Sequence, residues 1–98
     1  MRTVLAVLEQ ATAGVTSAGP DQRRSDEFKA LRKGLGYCWS LAVVATPKVG
    51  RLAFEALVAH AAQGGDRDLR WIARENLRKR RLERLDAGWV ATLRARLE

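Results

Sequence analysis

The stretch Asp66-Arg67-Asp68-Leu69-Arg70-Trp71-Ile72-Ala73-Arg74-Glu75-Asn76-Leu77 carries a helix in its spacing. At 100° per residue, Leu69, Ile72, Ala73, Asn76 and Leu77 fall on one face, and Asp66 stands where an N-cap oxygen is needed. Immediately upstream, Gly64-Gly65 reads as the stop of the preceding helix. The periodicity predicts that this helix runs on through the charge-rich end to Leu82, and Leu85-Asp86 marks the next boundary.

Working outward, the same punctuation recurs. Downstream, Trp89, Val90, Leu93 and Leu97 make the apolar stripe of a last helix over 86–97. Upstream, Thr46-Pro47 pairs an N-cap with a proline at the first helical position, opening a helix over 47–63 with Phe54, Leu57, Val58 and Ala61 on its apolar face. Before that, Ser25 or Asp26 caps a long helix over 26–45, with Phe28, Leu31, Leu35, Cys38, Trp39 and Ala42 on one stripe. Its segment from Tyr37 to Ala45 is apolar nearly all round, which marks a core helix covered on more than one side. Gly34 and Gly36 cost this helix propensity, and the expected compensation is close approach of a neighbour. A first helix over 1–13 uses Val4, Leu5, Leu8, Ala11 and Thr12. Gly14 should stop it, and residues 14–25 read as a flexible loop.

Ninety-eight residues suffice for one domain of modest core, and 47% apolar with 30% charged residues is globular composition. With only 2 prolines among many Ala, Leu and Arg, the chain is expected to be all-α. A single cysteine, Cys38, excludes an internal disulfide and a cysteine-rich zinc site, which fits a cytoplasmic setting. Cys38 is expected to be a buried filler. The apolar run after Met1 breaks at Glu9-Gln10, too early for an export signal, and no stretch is long enough to span a membrane.

The sequence also matches itself. Sliding the fourth helix onto the second by 38 residues sets Leu31-Arg32 on Leu69-Arg70, Leu35 on Ala73, Cys38 on Asn76 and Trp39 on Leu77. On Phe54-Glu55-Ala56-Leu57-Val58, on the 66–77 stretch quoted above and on Glu75-Asn76-Leu77-x-Lys79-x-Arg81-Leu82, the sequence resembles HEAT-repeat proteins, particularly the closing repeats of bacterial ones. In that family an A helix ends in an acidic turn, and a B helix opens on an Asp shortly before a Val/Leu-Arg pair. The 12-residue segment at 14–25 departs from the family's compact turn. The resemblance implies a right-handed α-solenoid-like stack of antiparallel helical pairs, about two repeats plus a terminal helix. It also implies that Arg70 is a structural partner of Asp66 or Asp68, and that the function is binding rather than catalysis.

The charge balance is +7, and between Leu69 and Leu85 seven basic side chains stand against two acidic ones. On the fourth helix Arg67, Arg70, Arg74, Arg78 and Arg81 fall on one stripe with Trp71 at its edge. Arginine forks beside an indole suit phosphate contact, whereas an ordinary solvated face gives the same pattern. Arg67, Trp71, Arg74, Arg78 and Arg81 are therefore the candidate macromolecule-binding residues. Asn76 points to the core and should bond a neighbouring backbone. His60 stands alone, without a ligand-spaced partner, and no nucleophile, base and orienter can be assembled. No catalytic, cofactor-binding or metal residue is expected. The expected function is a non-enzymatic scaffold or adapter for another protein, with DNA or RNA as the alternative partner and no membrane. Two pairs and an extra helix fall short of the three or so repeats that usually stabilise a solenoid, so apolar surface should stay open at the last helix and favour a two-fold homodimer.

Overall fold

The computed structural model describes residues 4–98, and among these the chain is all-helical. Its elements are α1 (Val4–Ser17), α2 (Asp26–Ala45), α3 (Pro47–Gly64), α4 (Arg67–Leu77), α5 (Arg80–Leu85) and α6 (Ala87–Arg96), with a short 3₁₀ turn at Gln22–Arg24 before α2. The predicted beginning of the first helix at residues 1–3 lies outside the described residues.

The caps explain most of these boundaries. Ser25 Oγ accepts from the Phe28 amide at the start of α2, Asp66 accepts from the amides of Asp68 and Leu69 at α4, and Asp86 accepts from Trp89 at α6. Pro47 opens α3, and Gly65 closes it in the left-handed conformation at φ 68°.

Two boundaries differ from those the sequence predicts. Helix α1 does not stop at Gly14 but runs to Ser17, because Val15 continues the buried row of Leu5, Leu8 and Thr12. Val15 is fully buried, and that burial outweighs the cost of about 1 kcal/mol for a helical glycine. Val4, expected on the buried stripe, is 70% exposed. The helix predicted over 66–82 breaks after Leu77, with Lys79 in extended conformation. A continuous helix would turn Leu82 about 140° away from Leu69, off the buried face. The break re-aims the chain so that Leu82 is fully buried.

Helix α2 is the hub and packs against α1, α3, α4 and α5. Trp39 on α2 is buried beside Phe54 of α3, ring centroids 6.1 Å apart, and its indole N–H donates to Thr12 Oγ1 of α1 at 3.0 Å. Gly50 brings α3 against α2, since a Cβ there would lie 2.9 Å from the Val43 Cα. Asn76 of α4 is fully buried, donates to the Leu35 and Ile72 carbonyls and accepts from the Ser40 amide. The stripes of α3 and α4 are buried as predicted.

The 38-residue register is followed only in part. Leu35 and Ala73 are both buried, as are Trp39 and Leu77, but Leu31 is exposed where Leu69 is buried. Cys38 is only half-buried where Asn76 is buried. The last helix also departs from expectation: Val90, Leu93 and Leu97 are buried and Trp89 half-buried, its indole donating to Glu55 at 2.7 Å. The exposed large apolar side chains lie instead on α1, α2 and α3.

Candidate functional site

On α2 the residues Lys29, Arg32, Lys33 and Gly36 stand at i, i+3, i+4 and i+7, one face of the helix. That face meets α4. A Cβ on Gly36 would lie 2.8 Å from Cζ3 of Trp71, so the indole fits against α2 only because the side chain is missing there. Compensation by close approach holds for Gly36 but not for Gly34, whose Cβ position is open.

The indole carries the Arg32 guanidinium 3.8 Å from its ring centroid, and Arg32 Nε donates to Asp68 at 2.9 Å. One turn along α2, Tyr37 receives Arg81 of α5 at 4.7 Å and Lys79 at 5.6 Å, while Arg81 Nη1 donates to Ser40 Oγ at 2.7 Å. Both aromatic rings therefore hold cations in place. Between α2 and α4 this leaves a groove of about 400 Å³. Four cations, Lys29, Arg32, Lys33 and Lys79, line it against the single carboxylate of Glu75, which is 3.9 Å from Lys79.

The groove keeps a positive balance: Asp68 meets Arg32 at its edge but is shared with a second arginine outside it. Arg23, from the turn before α2, bonds both Asp66 and Asp68 at 2.7–3.0 Å. The Arg23 bond, opposed by burial, holds the Asp66 carboxyl below its ordinary range. In turn Arg23 is held still more firmly protonated, first by Asp66 and then by Asp68. Asp86 is likewise lowered, first by the Trp89 amide and then by Arg51. Lys29 and Lys33 are exposed and, among the described residues, form no ion pair.

Comparison of the chain with protein-family models, curated proteins and solved structures returns no match. The site therefore rests on its own geometry. The break after Leu77 scatters the predicted arginine stripe. Arg70 and Arg74 both turn to the Leu97 carbonyl at the end of α6, each at 2.8 Å, and Arg70 also donates to Ala62. Arg70 is thus not the partner of Asp66 or Asp68, which Arg23 and Arg32 occupy. Arg67 and Arg78 remain exposed, Arg78 lying 3.5 Å from Glu75. Arg81 sits on α5 and faces α2. Of the five candidates, only Trp71 lines the groove, and Arg81 reaches its edge through the ring of Tyr37.

Lys29, Arg32, Lys33, Tyr37 and Lys79 were not among the candidates. The visible signal was the Lys29-Arg32-Lys33-Gly36 spacing, a basic helix row ending in a glycine that admits a neighbouring side chain. His60 lines a separate recess between α1 and α3 with Thr12, Ala53 and Leu57. Among the described residues no group of three His, Cys, Asp or Glu side chains is placed to hold a metal ion, and no helix is long and apolar enough to cross a membrane.

Proposed function

We propose that the chain is a non-enzymatic, HEAT-like scaffold or adapter that binds another protein, and that the α2–α4 groove is where it does so. The observation that carries this reading is the pair of lysines, Lys29 and Lys33, that form no ion pair among the described residues, beside guanidinium groups already held on Trp71 and Tyr37. Side chains ordered before the partner arrives lose less entropy when it binds.

The stack of helical pairs implied by the resemblance is supported by the shape of the molecule. The shortest dimension, 20 Å, suits two helix layers at about 8–10 Å between axes.

A photo-crosslinking residue at Tyr37 in the full chain tests the function. The expected product in cells is a discrete protease-sensitive, nuclease-resistant adduct that the same residue at Arg84 does not give. A nuclease-sensitive adduct would support the second reading, phosphate-backbone binding to nucleic acid, which the exposed Arg67 at the start of α4 and Arg78 just past its end favour.

A further inference from the structure

We infer that the occupant of the α2–α4 groove is an extended acidic segment of the partner protein, with carboxylate side chains seated on Arg32, Lys29 and Lys33. This inference rests on the protein-binding role proposed above and names the chemistry of its partner.

Three features of the groove support this occupant. First, Arg32 is fixed by stacking on Trp71 and by its Nε bond to Asp68, and its two terminal nitrogens make no other hydrogen bond among the described residues. Two parallel N–H groups on a fixed fork match a carboxylate. Second, Trp71 carries Arg32 and abuts Gly36, so its ring is not an open platform for stacking a base, and the half-exposed Tyr37, which also holds Arg81 and Lys79, leaves at most one such ring where a strand stacks successive bases. Third, Glu75 lies inside the groove between the cations. A phosphodiester strand brings one negative charge with every nucleotide and meets Glu75 with repulsion. A peptide can instead place carboxylates on the cations and offer a backbone N–H to Glu75. In an extended peptide alternate side chains also point to opposite sides, so carboxylates can face the lysines while apolar residues lie on the exposed part of Tyr37.

The test is fluorescence anisotropy at physiological salt with a labelled peptide of about twelve alternating Glu and Leu residues, long enough when extended to cross the 38 Å molecule. A Gln-for-Glu peptide and a single-stranded oligonucleotide of equal charge are run beside it. Two variants reverse the same number of charges: Lys29→Glu with Lys33→Glu in the groove, and Arg84→Glu with Arg96→Glu away from it. All four sites are exposed, and circular dichroism verifies folding. The expected result is saturable binding of the Glu peptide, weakened by about tenfold or more in the groove variant and by much less in the distant one. Equal loss in both variants would mean diffuse charge attraction and overturns the groove as the site, leaving the protein-binding role standing. Oligonucleotide binding tighter than the peptide, with the same dependence on Lys29 and Lys33, overturns both the acidic peptide and the protein-binding role. Absence of binding by the Glu peptide overturns the inference alone, and the Tyr37 crosslink then decides the role.

Discussion

Arg23 grips Asp66 with both terminal nitrogens, Nη1 to Oδ1 and Nη2 to Oδ2, each at 3.0 Å. The rest of the guanidinium is equally committed. Nη1 also donates to Asp68 at 2.7 Å, Nη2 to the Val15 carbonyl at 2.9 Å, and Nε to the Ala18 carbonyl at 2.9 Å. All five donors of one side chain thus join the end of α1 and the turn after it to the start of α4.

Arg23→Ala should therefore destabilise the fold by about 1–3 kcal/mol, because it removes the charge-assisted bonds to two half-buried carboxylates, leaving Asp66 only its amide donors and Asp68 only Arg32, and cuts the tie between α1 and α4. Arg23→Lys should recover only part of this loss, since an ammonium cannot span both Asp66 oxygens and the carbonyls together. Urea unfolding followed by circular dichroism measures both.

The same contact sets a pH dependence. The Asp66 carboxyl is lowered in the folded state from an ordinary 3.8, so the folded form binds the proton less readily than the unfolded chain. Its contribution is complete above the ordinary value and is lost as pH falls through the lowered one. Denaturation midpoints measured downward from pH 6 should decline in the acid range, and Asp66→Asn should flatten part of that decline while lowering stability at neutral pH.

How far the sequence reaches depends on whether a contact is local. Asn76 could be assigned to a backbone partner from its helical position alone, because a buried amide at a core position has few other options. The stripes of α3 and α4 and the cap at Asp66 follow from spacing in the same way, while spacing offers Ser25 or Asp26 equally at α2 and marks Asp86 only as a boundary. Arg23 could not be found so, because its segment has no periodicity and its carboxylate partners lie 43 and 45 residues away. The groove was hidden for a related reason. Its cations come from α2, its indole from α4, and the helix break that frees Arg81 to reach Tyr37 is driven by burial of Leu82, a tertiary demand. Arg70 illustrates a family expectation overridden locally: with Asp66 and Asp68 held from the α1–α2 side, its donors go to the Ala62 and Leu97 carbonyls at two helix ends.

Trp39 joins three helices, so Trp39→Ala should cost about 3–5 kcal/mol and leave much of the protein poorly folded. Trp39→Phe keeps a buried aromatic ring but loses the indole N–H and some packed volume. The Thr12 hydroxyl still donates to the Leu8 carbonyl at 2.7 Å, so no buried donor is stranded and the hydrogen-bond loss should be near 1 kcal/mol. Thermal melting of both variants checks the order.

At Asn76 polarity matters as much as volume. Asn76→Asp places carboxylate oxygens where the amide donates to Leu35 and Ile72, setting negative charge against two carbonyls in a buried site. It should be more damaging at neutral pH than Asn76→Leu, which adds no charge, and should recover partly in acid as the carboxyl takes up a proton. Chemical denaturation at two pH values separates the two variants.

Two helical glycines should respond in opposite directions to the same methyl group. A Cβ at Gly34 meets nothing within 4 Å, so Gly34→Ala should stabilise the protein by about 0.5–1 kcal/mol through helix propensity. At Gly50 the methyl would lie 2.9 Å from the Val43 Cα, and backbone cannot swing aside as a flexible side chain can. Helix α3 must move away from α2, loosening Phe54 and Val58 from the core, and Gly50→Ala should destabilise by about 1–3 kcal/mol. Melting temperatures that rise for Gly34→Ala and fall for Gly50→Ala would establish that the helix contact sets the sign. If Gly34→Ala also lowered the melting temperature, the outer side of α2 would have to be covered in solution, and sedimentation of wild type and variant over a concentration series would show whether a second copy covers it.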